Sequence, residues 1–210
     1  MRLRILILIF IIVSALHAKC LTKQESDQLI IEGNPKDFDY IPNYIQCNDT
    51  KSNLEKFVCN HPDYFIMFHY LSQVNVYKYE DIYKHEVNHH NFNKKSMAYW
   101  KIKYKEINAN HLCFDLKESV VDILGLQAPY KIVNTKEGSY FIQENKHGAV
   151  LTDREGYKIY MGKDCDVMDS KKQKGSWYRE NDQYIIKLGK EKIGFDFSDL
   201  NLKNYKCIQK

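Results

Sequence analysis

The sequence predicts an α+β protein: a small N-terminal helical bundle followed by a small antiparallel β domain, sandwich or barrel, stapled by disulfides. Three observations predict it. The hydrophobic period is helical from about residue 52 to 124 and becomes two from about residue 130. Turn signals built on Gly, Asp and Asn punctuate the second region. Six cysteines follow an apolar leader, and an even count in an exported chain reads as a disulfide framework.

The leader is residues 1–18. Arg2 and Arg4 form a short positive region, Ile5 to Ala15 is almost wholly apolar, and Leu16-His17-Ala18 ends on a small residue suited to cleavage. This is the pattern of a secretory signal peptide. Lys19 stands where a lipid-attachment motif at Cys20 needs a small residue, so lipidation is not expected. The destination is the periplasm or the cell exterior, with no membrane span after signal removal.

A helical domain is expected over 19–125. Leu54, Phe57 and Val58, then Phe65, Phe68, Leu71 and Val74, recur at three- and four-residue steps, and Tyr79, Ile82 and Tyr83 continue them. Asn53 or Ser52 caps this run, with Glu55 in its first turn. Asn88 to Asn93 reads as loop or frayed end. A second helix is expected from Lys94 through Tyr104 and a third from His111 to Leu124, stopped by Gly125. A β domain is expected over 126–210. Six strands are legible: Tyr130–Val133, Ser139–Ile142, Tyr157–Tyr160, Trp177-Tyr178, Tyr184–Leu188 and Lys192–Phe197. Lys136-Glu-Gly, Asp153-Arg-Glu-Gly, Lys174-Gly, Glu180-Asn-Asp and Leu188-Gly-Lys read as the turns between them.

The composition excludes several classes. With 44% hydrophobic and 28% charged residues the chain has enough apolar surface to fold. A formal net charge of +4 is too weak a footprint for a nucleic-acid partner. The charge is unevenly placed: residues 19–125 are net −2 and residues 126–210 net +4.

The cysteines are Cys20, Cys47, Cys59, Cys113, Cys165 and Cys207. Six cysteines allow 15 pairings, and sequence alone does not choose among them. Cys47 and Cys59 flank the start of the first helix, and a bridge there would tie the incoming loop to it. Cys165 and Cys207 are the only cysteines of the β half, so their pairing is the economical one. Cys20 and Cys113 are then left to each other. No C-x-x-C suggests a thiolate zinc site.

The segment Cys47-Asn-Asp-Thr-Lys-Ser-Asn-Leu-Glu-Lys-Phe-Val-Cys59 resembles the start of the LprI-type lysozyme-inhibitor N-terminal family. Glu55 and both cysteines fall at that family's spacing, and Trp100 and Cys113 match its second half. The likeness covers about residues 45–124. Ile107 stands where the family usually has a further cysteine, Met97 where it has Gln, and Glu118 and Val121 follow Cys113 where it has a late Tyr and Arg. The missing cysteine implies that Cys20 takes over as partner of Cys113. The resemblance implies an exported helical domain that binds and inhibits a lysozyme. The β half is similar in size to small β-barrel lysozyme inhibitors, with a different cysteine placement.

His85-Glu86-Val87-Asn88-His89 spells H-E-x-x-H. On a helix the two imidazoles would share one face with the carboxylate beside them, the arrangement in which Glu acts on zinc-bound water. The flanks argue against it: Lys84 precedes, His90-Asn91-Phe92-Asn93 follows, and such a motif helix usually has apolar neighbours. The third ligand would come from Glu106, His111 or Glu118. A surface His/Asn-rich segment is the expectation, with no metal or other cofactor. Asp164, Asp166 and Asp169 read as an acidic turn, and Lys171-Lys-Gln-Lys174 as a basic loop.

The functional expectation is therefore a non-enzymatic, exported envelope binding protein. A lysozyme or another envelope protein is its partner, and lysozyme inhibition is its leading specific activity. The alternatives are a zinc-dependent hydrolase using His85, Glu86 and His89, and an envelope adhesion or assembly module without an enzyme target.

Overall fold

A computed structural model of the chain describes residues 19–32, 44–83, 89–125, 128–196 and 207. The expected leader, 1–18, lies outside them. Among the described residues, five helices precede an eight-stranded antiparallel sheet. Three disulfides join Cys20 to Cys113, Cys47 to Cys59, and Cys165 to Cys207.

Helix α1 spans Lys23–Glu32. It has no helix-period apolar stripe to announce it in the sequence. It is held from outside: the Thr22 and Glu25 side chains cap each other's backbone N–H, Leu29 is buried, and Cys20 is bridged to Cys113. The long helical run expected from residue 52 is two helices, α2 (Asn53–Cys59) and α3 (Pro62–Tyr83). Pro62 explains the break. Its ring disfavours helical geometry at His61, yet it is tolerated in a first turn. Ser52 is the cap of α2, in a full capping box with Glu55. Helix α4 spans His89–Lys103 and takes in Asn91 to Asn93, which the sequence places in a loop. Packing of Phe92 on Tyr79, ring centroids 5.3 Å apart, offsets the poor propensity of the asparagines. Helix α5 spans Ala109–Leu124, capped by the Asn108 side chain and ended by Gly125 at φ +57°.

The helices enclose Leu54, Val58, Met67, Phe68, Leu71, Leu112, Leu116 and Val120, all essentially inaccessible. This core also takes in Tyr130 and Phe141, which come from the sheet half of the sequence.

The strands are β1 (Lys131–Asn134), β2 (Ser139–Asn145), β3 (Gly148–Thr152), β4 (Lys158–Gly162), β5 (Asp166–Asp169), β6 (Lys174–Glu180), β7 (Gln183–Leu188) and β8 (Glu191–Asp196). Each pairs with the next, and β8 returns close to β1, so the meander forms a near-barrel. Inward residues alternate: Val133 opposes Tyr140, Ile142 opposes Leu151, Met161 opposes Val167, and Ile186 lies between Trp177 and Ile193. They form a second apolar cluster.

Two strands escape the sequence reading. β3 is five residues long and follows its turn without a polar break. β5 begins and ends in aspartate, so Asp166 and Asp169 lie in a strand and not in an acidic turn. Lys174 and Gly175, expected in a turn, open β6. Asn181 and Asp182, both at positive φ, make the two-residue β6–β7 turn that such geometry favours.

Candidate functional site

The helices meet the sheet along α5, and charged side chains gather there. Asp115 lies in the apolar stripe of α5, three residues after Leu112 and next to Leu116, and is 3% exposed. Its Oδ2 accepts from Tyr104 Oη at 2.6 Å and from Arg154 Nη2 at 3.0 Å, and Lys103 Nζ stands 2.6 Å away. Burial pushes the Asp115 carboxyl up. The Lys103 ammonium, the Tyr104 hydroxyl and the Arg154 guanidinium outweigh burial and hold it below the ordinary aspartate value. Arg154 comes from the β3–β4 turn, so one carboxylate joins both parts. Phe114 meets Phe141 edge-on at 4.6 Å beside it, and Asn110 Nδ2 donates to Glu155 O. His111 Nε2 stands 2.8 Å from Glu155 Oε1, an ion pair when the ring is protonated.

One turn further along α5, Glu118 faces the same cleft, about 270 Å³, with Lys103, Ser139 and Arg154. Its carboxyl is raised above the ordinary glutamate value, first by burial and then by repulsion from Asp115 and Asp122. Asp122 is exposed. Lys103 and Arg154, which pair with Asp115, also draw Glu118 down, but less than burial and the two neighbouring aspartates push it up, so Glu118 and Asp122 mark an acidic edge.

On the other side of α5 a groove of about 430 Å³ runs between α1 and strands β2–β4. The Cys20–Cys113 bridge and Phe141 line it. Lys117, 7% exposed, pairs with Glu25 at 2.9 Å and lies 4.8 Å from the Tyr130 ring centroid. Burial raises the Glu25 carboxyl, and Lys117 together with the Thr22 N–H and hydroxyl more than reverses that.

The sequence-predicted residues fall as follows. Glu55 Oε2 accepts from the N–H groups of Lys51 and Ser52, and its Oε1 lies 2.6 Å from Lys101 Nζ. Burial raises its carboxyl, but those partners bring it down to about 2. Its role here is to cap α2 and tie α2 to α4. Trp100 is buried, edge-on to Phe68 at 5.5 Å and stacked near Tyr104. Trp100 thus reaches Asp115 through Tyr104, and Glu55 holds the next residue of α4, Lys101. All six cysteines are in disulfides. His85 and Glu86 lie outside the described residues, and His89 is the first residue of α4. Of the third-ligand candidates, His111 is engaged with Glu155 and Glu118 lines the cleft beside Asp115. Among the described residues no three His, Cys, Asp or Glu side chains converge to hold a metal ion. Among them, too, no helix is long and apolar enough to cross a membrane.

Sequence reasoning missed Asp115, Arg154, Lys117 and Glu25. The available signal was a charged residue inside the apolar stripe of α5, at Asp115 and again at Lys117. Their partners lie 39 and 92 residues away, beyond any periodicity. No family model matches the chain, and neither a curated protein nor a solved structure matches it.

Proposed function

We propose that the chain is an exported bacterial envelope binding protein and that its activity is inhibition of a c-type lysozyme by protein–protein contact. In this reading residues 1–18 are the removed signal peptide. Residues 19–125 are an LprI-like helical bundle that carries the binding face, and 126–210 are a β domain braced against it. The observation that carries the reading is the acidic edge of α5. Glu118 is repelled by Asp115 and Asp122, and a cationic partner laid against it would relieve that repulsion. A c-type lysozyme is such a partner. Support also comes from the Cys47–Cys59 and Glu55 spacing, and from the three disulfides, which suit an oxidising compartment and a preorganised surface.

The test is hydrolysis of a soluble chitooligosaccharide by a c-type lysozyme, with direct calorimetric binding of enzyme to the oxidised mature chain. Dose-dependent, saturable inhibition is expected. The double substitution Glu118→Lys with Asp122→Lys should weaken it at least about tenfold, chiefly by slowing association. No inhibition and no heat of binding at about 100 times micromolar concentration would end the reading.

A further inference from the structure

The outward face of strands β3–β5 carries a depression. Ala149, Leu151, Ile159, Met161 and Val167 point into the sheet's apolar cluster, so Gly148, Val150, Tyr160, Gly162, Asp166 and Met168 occupy the opposite face. Gly148 and Gly162 are register partners at one end of this face, and the Asp166 carboxylate lies where a Gly162 side chain would stand. Beside the glycine pair, Tyr160 is the register partner of Val150 on one strand and of Met168 on the next. Tyr160 and Met168, 40% and 41% exposed, are the large apolar side chains that the described sheet leaves open to water. The result is a depression of about 520 Å³. Its remaining wall is polar and exposed: Lys146, His147, Lys163, Asp164 and Asp166. Lys174, the register partner of Met168, extends the cationic rim.

We propose that this depression binds an anionic glycan, one sugar ring lying on Tyr160. The volume is in the range of small-ligand sites. A pyranose ring presents a face of C–H groups to an aromatic ring and hydroxyls around its edge. Tyr160 supplies the ring, Met168 the adjoining apolar contact, and Asp166 and His147 partners for hydroxyls. Lys146, Lys163 and Lys174 outnumber the two aspartates and match carboxylates on the glycan, as does the positive balance of residues 126–210. A protein partner fits less well. Its energetic centre would be desolvated apolar contact, and here the two apolar side chains sit within a ring of ionisable ones.

The site lies on the sheet and needs neither lysozyme nor α5, so it stands or falls apart from the inhibition reading. The experiment is co-sedimentation of the full oxidised mature chain with purified peptidoglycan sacculi, an anionic glycan, and with chitin, a neutral one. Saturable binding to sacculi that weakens with added salt is expected, with little retention on chitin. Tyr160→Ala, and separately Lys146→Glu with Lys163→Glu, should raise the apparent Kd about tenfold or more, with unchanged thermal midpoints. Tyr160→Phe, which keeps the ring, should bind as the parent does. Absence of binding to sacculi, equal retention on chitin, or Tyr160→Ala binding as tightly as the parent would each overturn the proposal.

Discussion

Replacing Asp115 by Asn tests whether the junction holds the helices to the sheet. The substitution keeps the volume and one carbonyl acceptor and removes the charge that Lys103, Tyr104 and Arg154 share. Removing one partner of a fully buried pair costs about 3–5 kcal/mol. Lys103 and Arg154 are 34% and 49% exposed at their side chains, so both can rehydrate, and the expected loss is nearer 2–3 kcal/mol, roughly. For a chain of this length that lowers the thermal midpoint by about 5–10 °C. The pH dependence has a definite sign. Asp115 is held below the ordinary aspartate value, so between about pH 4 and its folded value the unfolded chain binds the extra proton. Its stabilisation is present above that window and lost as pH falls through it. Thermal melts of oxidised parent and Asp115→Asn at neutral pH and near pH 2 should therefore converge as acid is added. A second arm uses Arg154→Gln. The double variant should be less destabilised than the sum of the singles by about 1 kcal/mol, because both remove the same contact. Midpoints within a degree at neutral pH, a gap unchanged by acid, or strict additivity would refute the assignment.

Three further outcomes follow from the same contacts. Removing the bridges one at a time by paired Cys→Ser changes should cost stability in the order of the loops they close. These span 93, 42 and 12 residues, so the chain-entropy estimate gives about 4.6, 3.9 and 2.8 kcal/mol for Cys20–Cys113, Cys165–Cys207 and Cys47–Cys59. Urea midpoints of the three variants check that order. Glu55→Gln should cost about 1–2 kcal/mol through the weakened cap and the lost Lys101 pair. Because Glu55 titrates at about 2 when folded, against 4.5 ordinarily, its contribution is present above that ordinary value and fades as pH falls through the window, and the variant's acid melts should lack that slope. Gly148→Ala should destabilise by more than about 1 kcal/mol in chemical denaturation. Gly148 sits at φ +156°, and an added Cβ would stand 1.8 Å from the Met161 carbonyl oxygen.

The parts of the fold legible in the sequence are those with a local cause. Gly125 stops α5 and Ser52 caps α2 because each acts on its own neighbours. The period-two runs around Tyr140, Ile159, Trp177 and Ile186 are legible because alternate residues enter one core. α1 was illegible because what holds it, the Cys113 bridge and the Lys117 pair, lies some 90 residues away. β5 was illegible because Val167 is its one apolar inward residue and the other inward position is itself an aspartate, Asp169. The candidate site follows the same division. Glu55 and Trp100 could be picked out by spacing, yet both serve packing and capping. The carboxylate that links the two parts is marked in the sequence only by its place among leucines.

Helix α5 makes these roles compatible. Its buried side closes the helical core through Leu112, Leu116 and Val120 and also reaches the sheet through Phe114, Asp115 and Lys117. If the sheet moved away, Asp115 would lose Arg154, while Lys117 would keep Glu25 of α1 and lose its contacts with the Tyr130 and Phe141 rings. The cations nearest to α5's acidic edge are therefore already committed inward. Burial and the repulsion from Asp115 and Asp122 outweigh the attraction of Lys103 and Arg154 at Glu118, so its carboxyl stays raised while Lys103 and Arg154 are paired with Asp115. On the proposed reading, the contacts that fasten the sheet to the helices also leave Glu118 and Asp122 to face a cationic partner. Tightening the junction should preserve that edge, and loosening it, as in Asp115→Asn, should free Lys103 to neutralise Glu118 and weaken partner binding before the fold is lost.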